Sequence, residues 1–315
     1  MRIIYHSTAG PVLSARFAKL ARDGLFISSC SETEWSRFHD LLVDAEVIWH
    51  LLEPLTPTVI EAAPRLRLIQ KIGVGVNTIA LDVARRRQVA VCNMPGTNSR
   101  AVAEMTLLLI LSALRRLTQI DRATRAGQGW ALSLATRDQC TELGGKTVGL
   151  VGYGAVPRLL APMLEAMGAR VIFTTRSQAP EGTIGEARLL DELLSESDIV
   201  SLHVPLTDDT ERLINADAIS RMKTGAVLVN TARGLLVDEQ ALRVALEEGR
   251  LGAAGLDVFE DEPTSVNNPL FTLENVVVTP HIGYLTRETM ERSLVVAAEN
   301  CRRLASNADL LHRVV

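Results

Sequence analysis

The sequence predicts an α/β protein built as two doubly wound parallel-sheet domains with a crevice between them. Three observations carry that expectation. Short β-branched runs alternate strictly with longer amphipathic ones, the alternation stops and restarts midway, and the 315-residue chain is longer than one hydrophobic core usually grows. In the first series the runs are "RIIYH", "VLSARFAKLARD", "LFISSC", "TEWSRFHDLLV", "AEVIWHL", "PTVIEAA", "RLIQKIG", "IALDVARRR" and "VAVCN". Parallel neighbours need a crossover of helix length, so this order predicts a sheet of about five strands by residue 93. "NSRAVAEMTLLLILSALRRLTQIDRATRAG" follows as one long helix with Asn98 or Ser99 as N-cap and Glu104 early in it, ending near Gly127. The polar stretch "TRDQCTELGGK" separates it from the second series, "TVGLVGYG", "ARVIFTTR", "SDIVSLHVP", "GAVLVNTARG", "AAGLDVF" and "NVVVTP". A terminal helix over "YLTRETMERSLVVAAENCRRLASN" has an apolar stripe at Met290, Leu294 and Ala298 that suits either domain. Ligands of such sheets sit beyond the carboxyl ends of the strands, which makes the crevice the expected site.

Composition narrows the function classes. Apolar residues at 47% and charged residues at 22% describe an ordinary globular protein. A formal charge of −4, with no block of five like charges, supplies no field for nucleic acid or anionic lipid. Cys30, Cys92, Cys140 and Cys301 lie far apart, without the paired spacing of a zinc site, and suit a reducing compartment; no metal is expected. The opening "MRIIYHSTAG" has too short an apolar run for a signal peptide, and no window approaches the roughly 20 apolar residues of a membrane span. A cytoplasmic protein is expected.

The stretch "VGLVGYGAVP" has strand, turn and helix in the context of a dinucleotide-binding turn. Gly152 lets the chain turn and Gly154 lets backbone approach a pyrophosphate, but Pro157 stands where a third glycine is usual. With Gly154 as N-cap, Pro157 is the third helical residue, in the first turn, where a missing N–H is tolerated. The amides of Ala155 and Val156 remain to meet phosphate at the positive helix end. The expectation is a helix set slightly outward and still competent, with Val156 pushed away from helical dihedrals by the following proline. The next strand ends "FTTRS", so Thr175, Arg176 and Ser177 stand where an NAD site places a carboxylate for the ribose hydroxyl. An arginine flanked by hydroxyls suits a 2′-phosphate, with charge-assisted hydrogen bonds of about 1.5–3 kcal/mol each. NADP is therefore the expected cofactor, with NAD second.

Three polar residues follow strand-like runs in the second half, each at or beyond a carboxyl end: Arg233 in "LVNTARG", Glu262 in "LDVFEDEP" and His281 in "VVVTPHIG". With "GVGVNTI", "NMPGTNSRAVAEMTLLLIL" and "VSLHVPLTDDT" in the same order, the chain resembles the D-isomer-specific 2-hydroxyacid dehydrogenase family along nearly its whole length. The resemblance implies a flavodoxin-like substrate domain from residues 1–98 and 286–315 and a Rossmann nucleotide-binding domain from 99–285. It implies that Arg233 binds substrate, that His281 exchanges the proton and that Glu262 pairs with it. It gives the amides of Val74 and Gly75 to the substrate carboxylate. Val204, Pro205 and Thr210 would line the path of the cofactor, Thr231 and Ala232 precede the arginine, and Asp257 lies on the nicotinamide side with His281 and Gly283. The helix from Asn98 to Gly127 and the arm after it resemble the family's dimerisation region, so a homodimer is expected.

The residue types suit the chemistry independently. Reducing a 2-oxo acid requires hydride at the carbonyl carbon and a proton at its oxygen; an ordinary imidazole exchanges that proton near neutrality. A carboxylate on the other ring nitrogen orients the ring. An arginine fork holds a carboxylate and polarises the carbonyl. The expected activity is NADP-preferring reduction of a small 2-oxo acid such as glyoxylate or hydroxypyruvate. The alternatives are D-3-phosphoglycerate or phosphite oxidation on the same scaffold, and a nucleotide-sensing binding protein like the family's corepressor relatives. A phosphorylated substrate favours extra basic residues near "GVGVNTI", and only Lys71 stands close. Ala80 and Tyr284 depart from the family pattern, Tyr284 by narrowing the substrate mouth or adding a hydroxyl to it. His203 reads as a core histidine, His39 and His50 as members of amphipathic segments, and Trp130 as a packing or dimer-arm residue.

Overall fold

The computed structural model of the chain describes residues 1–176 and 181–315. The chain divides into two compact units, one of Met1–Asn98 with Thr286–Val315 and one of Ser99–Leu285.

The first unit contains β1 (Arg2–His6), α1 (Pro11–Arg22), β2 (Phe26–Cys30), α2 (Trp35–Leu42), β3 (Val47–His50), α3 (Pro57–Glu61), β4 (Leu68–Lys71), α4 (Leu81–Arg86) and β5 (Ala90–Cys92). All pairings are parallel and the order is β2-β1-β3-β4-β5, the flavodoxin-like arrangement. β3, β4 and β5 are buried along their whole length, as strands covered on both faces must be. Ile4, Ile48, Ile69 and Val91 pack with Phe38, Leu42, Val59 and Ile60 of the helices. The terminal helix, Arg287–Ala305, is capped by Thr286 and joins this unit. Asn300 Nδ2 donates to Gln70 Oε1 at 2.7 Å, and Val91 N donates to the carbonyl of Val315 at 3.1 Å. These polar bonds decide between the two domains where the apolar stripe could not.

One register row of this sheet is unusual. His6 pairs with His50 and His50 with Lys71, so three basic side chains end neighbouring strands on one face. All three are buried. His6 stacks on Phe38 with ring centroids 3.9 Å apart, and neither ring nitrogen has a hydrogen-bond partner. Burial lowers its pKa to about 4. His50 donates or accepts at Thr78 Oγ1, 2.9 Å away, and burial together with Lys71 and His6 keeps it neutral.

The second unit contains α5 (Ser99–Leu114), α6 (Leu117–Arg125), α7 (Leu134–Asp138), β6 (Thr147–Val151), α8 (Ala155–Ala166), β7 (Arg170–Thr174), β8 (Glu186–Ala187), α9 (Leu190–Glu196), β9 (Ile199–Leu202), α10 (Ala216–Arg221), β10 (Ala226–Asn230), α11 (Glu239–Glu247), β11 (Leu251–Leu256) and β12 (Val276–Val278). Its parallel sheet has the order β12-β11-β10-β9-β6-β7-β8, which reverses at β6 and β9 as a doubly wound sheet does. Alternate residues serve opposite faces. Val148 and Leu150 pack with Leu109 of α5 and Leu160 of α8, whereas Val151, Leu202 and Leu228 pack with Leu193, Ile219 and Leu242 of α9, α10 and α11.

The single long helix expected from Asn98 to Gly127 is two helices. Arg116 takes a left-handed conformation, φ 51 and ψ 35, and its guanidinium Nη2 donates to the carbonyl of Gly252 at 2.8 Å. Apolar periodicity continues past such a residue, so the pattern could not reveal the break. α5 is largely buried, while α6 has no buried residue.

The buried histidines set an acid limit on stability. The folded pKa of His6 lies below its unfolded value, so its stabilising effect is complete above about pH 6.5 and lost as the pH falls towards 4. His6→Phe, which keeps the stack on Phe38, is expected to flatten that slope by about 1–3 kcal/mol between pH 7 and 4. Denaturant unfolding across that range measures it, and an unchanged slope would refute the assignment.

Candidate active site

The glycine turn follows directly from β6. Gly152 has φ +98, and its amide donates to the carbonyl of Thr174 at 3.0 Å. A Cβ there would lie 2.9 Å from both the carbonyl oxygen of His203 and Cγ1 of Val204, so no larger residue fits. Gly154 is the N-cap of α8, and a Cβ on it would meet nothing within 4 Å. That open space at a helix N-terminus, floored by a glycine, fits a pyrophosphate. Pro157 is the third residue of α8, as expected, and is buried with Leu160, Ala161 and Leu164. Val156 remains helical, contrary to expectation, because the pre-proline bias is a preference that the first turn of a packed helix overrides. Tyr153, between the glycines, lies against Phe173 with ring centroids 4.2 Å apart and planes tilted by 40°, and its hydroxyl donates to the carbonyl of Ile184 at 2.8 Å. The sequence pattern held no signal for that tether.

β7 ends at Thr174, and Thr175 and Arg176 follow. Arg176 is exposed, its Nη1 3.9 Å from Asp209 Oδ2. Ser177 lies outside the described residues. After β9, Thr210 Oγ1 donates to the carbonyl of Pro205 at 2.7 Å and accepts from the amide of Thr207 at 2.8 Å, so this hydroxyl shapes the loop that carries Val204 and Pro205. His203 is half-buried, not in the core as expected, with desolvation lowering its pKa to about 3 and Ser201 Oγ 2.9 Å from Nε2.

The loops after β10, β11 and β12 bring the three candidate catalytic side chains together. Thr231 Oγ1 lies 2.9 Å from Thr106 Oγ1 of α5, and Asn230 closes the turn by accepting from Ala232 N at 3.0 Å and donating to the carbonyl of Arg233 at 2.7 Å. Gly234 then touches the next loop: a Cβ on it would sit 1.9 Å from the Phe259 carbonyl. Glu262 Oε1 accepts from the amide of Phe259 at 3.0 Å, and its Oε2 lies 2.6 Å from His281 Nδ1. Burial pushes the Glu262 carboxyl up, but the hydrogen bond and charge of His281, the Phe259 amide and the Arg233 charge together hold it below the usual range. Burial lowers Arg233, partly offset by Glu262, so the cation and the carboxylate face one another electrostatically.

Asp257 fixes the His281 loop. Its carboxylate accepts from Thr279 Oγ1 at 2.6 Å, Ile282 N at 2.9 Å and Gly283 N at 2.8 Å, while its carbonyl accepts from His281 N at 2.7 Å. A Cβ on Gly283 would lie 2.8 Å from Asp257 Oδ2. His281 is held at φ +53, and the Tyr284 ring stands 6.5 Å from its imidazole at 78°. In the first unit, Asn93 Nδ2 donates to the carbonyl of Val74 at 2.9 Å and Met94 N to that of Gly73 at 2.8 Å, which pins the Val74–Gly75 turn. Asn230, Asn93 and Gly234 lacked any sequence signal beyond their neighbours.

A glycine turn open at a helix N-terminus, with an imidazole, carboxylate and guanidinium on adjacent strand ends, is the arrangement expected of a dinucleotide-dependent oxidoreductase. Residues 107–283 match the family model described as D-isomer specific 2-hydroxyacid dehydrogenase, NAD binding domain. A glyoxylate reductase of Aeropyrum pernix is 42% identical over 264 residues, 82% of this chain and 79% of that protein. A D-3-phosphoglycerate dehydrogenase of Mycobacterium leprae is 41% identical over 78% of this chain but only 46% of its own length. The TT0316 protein from Thermus thermophilus superposes with a TM-score of 0.89 at 34% identity, over all of both chains. The chain belongs to the D-isomer specific 2-hydroxyacid dehydrogenase family, and it is an oxidoreductase with a nicotinamide cofactor.

The two glycines separate folding from ligand binding. Gly152→Ala is expected to lower stability through strain and collision by about 1–3 kcal/mol, and with it the thermal midpoint. Gly154→Ala should melt like the parent yet bind nicotinamide nucleotide about tenfold or more weakly, because its methyl occupies the phosphate space. Calorimetric melting and nucleotide titration distinguish them; equal affinity in Gly154→Ala and the parent would remove the turn from the cofactor site.

Proposed function

We propose that the protein is an NADP(H)-preferring D-2-hydroxyacid dehydrogenase that reduces a small 2-oxo acid of the glyoxylate or hydroxypyruvate type, with His281 as proton donor. One observation carries the reading: Glu262 holds His281 Nδ1 at 2.6 Å, while Nε2 has no protein partner among the described residues. A bound nicotinamide supplies hydride for the carbonyl carbon. Protonated at Nε2, His281 gives its proton to the carbonyl oxygen, and in the reverse direction takes it from the hydroxyl. Glu262, held ionised, orients the ring and keeps Nδ1 as a donor. Arg233 engages the substrate carboxylate and stabilises charge that develops on the oxygen. The amides of Val74 and Gly75 are assigned to the same carboxylate.

For the cofactor, Gly152, Gly154, Ala155 and Val156 are assigned to the pyrophosphate, and Val204, Pro205, Thr210, Thr231 and Ala232 to its path. Asp257, His281 and Gly283 are assigned to the nicotinamide side, with Asp257 acting by holding the loop. NADP preference is supported by Thr175 and the exposed Arg176, which follow β7 where an NAD site would have Asp or Glu in the chain, although the Asp209 carboxylate stands 3.9 Å from the guanidinium. The Mycobacterium leprae relative supports D-3-phosphoglycerate as a second reading. Lys71 speaks against it: the ammonium is buried and bonds the carbonyl of Leu51, so it is not offered to a phosphate. A homodimer is supported by the segment from α6 to α7, which leaves Trp130 95% and Leu134 74% exposed. No helix among the described residues is long and apolar enough to cross a membrane, and four cysteines without a disulfide suit a cytoplasmic setting.

His281→Ala is expected to lower turnover of glyoxylate or hydroxypyruvate by about 10²–10⁴ with the fold intact; steady-state kinetics at neutral pH check it, and unchanged turnover would sink the proton-donor role. Arg176→Ala should weaken NADPH about tenfold while sparing NADH, since one exposed charge-assisted contact is lost. Fluorescence titration with both nucleotides reads the difference, and equal losses would reject the 2′-phosphate assignment.

A further inference from the structure

The amino edge of the second sheet, opposite the strand ends that carry Arg233, Glu262 and His281, contains a cavity of about 200 Å³. The residues before β6 and β9 and those opening β10 and β11 line it, together with the end of α5. That volume is several times the roughly 30 Å³ share of one water, so it admits a small polar ion. Its side chains are cationic. Lys223 and Asp198 neutralise one another at 2.9 Å, and Asp198 also accepts from the amide of Thr147 at 2.7 Å. Arg116 and Lys146 remain.

Arg116 is 9% exposed and makes no ion pair among the described residues. One guanidinium nitrogen donates to the carbonyl of Gly252, and the buried Nε has no partner. The ammonium of Lys146 makes no hydrogen bond or close ion pair among the described residues, and its charge only helps Lys223 hold the Asp198 carboxyl below the usual range. A buried guanidinium is costly without an opposing charge, and burial here lowers its pKa with no carboxylate beside it. The arginine also occupies a left-handed backbone conformation that a non-glycine residue seldom adopts. Three cations, Arg116, Lys146 and Lys223, face the one carboxylate of Asp198 in this polar cavity, and that surplus, with the hydroxyl-bearing Thr141 and the amide-bearing Gln139 beside it, matches the charge and donor demand of a tetrahedral oxyanion.

We propose that this cavity binds a phosphate-type oxyanion, inorganic phosphate or a small phosphate monoester, between Arg116 and Lys146. The site lies wholly within the second unit and does not depend on the substrate reading above. The test is calorimetric titration of the full chain with inorganic phosphate and, separately, with glycerol phosphate, at constant ionic strength set by chloride and in saturating NADP. The nucleotide keeps the glycine turn from contributing heat. Saturable binding of one equivalent is expected, weakened about tenfold or more in Lys146→Ala, and the tighter probe names the source. Arg116→Gln should abolish binding; because that residue is the left-handed N-cap of α6, its melting curve is taken first, and Lys146→Ala, at a half-buried position, decides if it fails to fold. The proposal is overturned by an absence of saturable binding, by binding that Lys146→Ala leaves unchanged, or by heat seen only without NADP.

Discussion

The carboxylate of Asp257 holds the geometry on which the candidate chemistry depends. It stands immediately after β11, buried, and accepts three hydrogen bonds from the loop that follows β12 while its carbonyl accepts a fourth from His281. Burial pushes its carboxyl up, opposed by Thr279, Ile282, Gly283 and the charge of His281. A buried carboxylate is tolerated when its acceptor sites are matched in this way. The consequence is a histidine kept in a left-handed backbone conformation that its own preferences disfavour. Rigid placement of the ring at Glu262 is what a proton donor needs, since a small misplacement costs much of the benefit of proximity.

Topology supplies the rest of the convergence. β12, β11 and β10 are consecutive in the sheet, so their carboxyl ends lie side by side and their following loops carry His281, Glu262 and Arg233 within reach of one another. Gly234 lets two of those loops meet at backbone distance, and Asn230 turns the first of them. Between β9 and β6 the strand order reverses its winding, and the glycine turn opens there, at the kind of switch point where doubly wound sheets bind ligands. Tyr153 and Phe173 brace that turn against the segment around Ile184. The His281–Glu262 pair and the glycine turn thus share one strand edge, while the cationic cavity of Arg116 and Lys146 occupies the other.

Much of this was legible in the amino-acid order. Two alternating series point to two parallel sheets because parallel neighbours need a crossover of helix length and the helices between the strands supply it. Gly152 and Gly154, with strand before and helix after, mark the glycine turn, and Pro157 is accommodated because the first helical turn needs no internal donor there. Arg233, Glu262 and His281 were readable as polar residues beyond apolar strand runs. What sequence reasoning misplaced was local. The break at Arg116 escaped because one left-handed residue leaves the apolar pattern intact, and Val156 kept its helical conformation because tertiary packing outweighs a dipeptide preference.

The sequence by itself determined the sheets, the glycine turn and the kinds of side chain at the strand ends, since periodicity and turn chemistry act over a few neighbouring residues. Only the tertiary structure decided which of those side chains meet. The bond between Glu262 and His281 joins residues 19 apart, and Asp257 holds a loop 22 to 26 residues away. The terminal helix joined the first unit through Asn300 and Gln70, 230 residues apart. Such contacts depend on strand order and on the close approach of backbones at glycines, which no local pattern encodes.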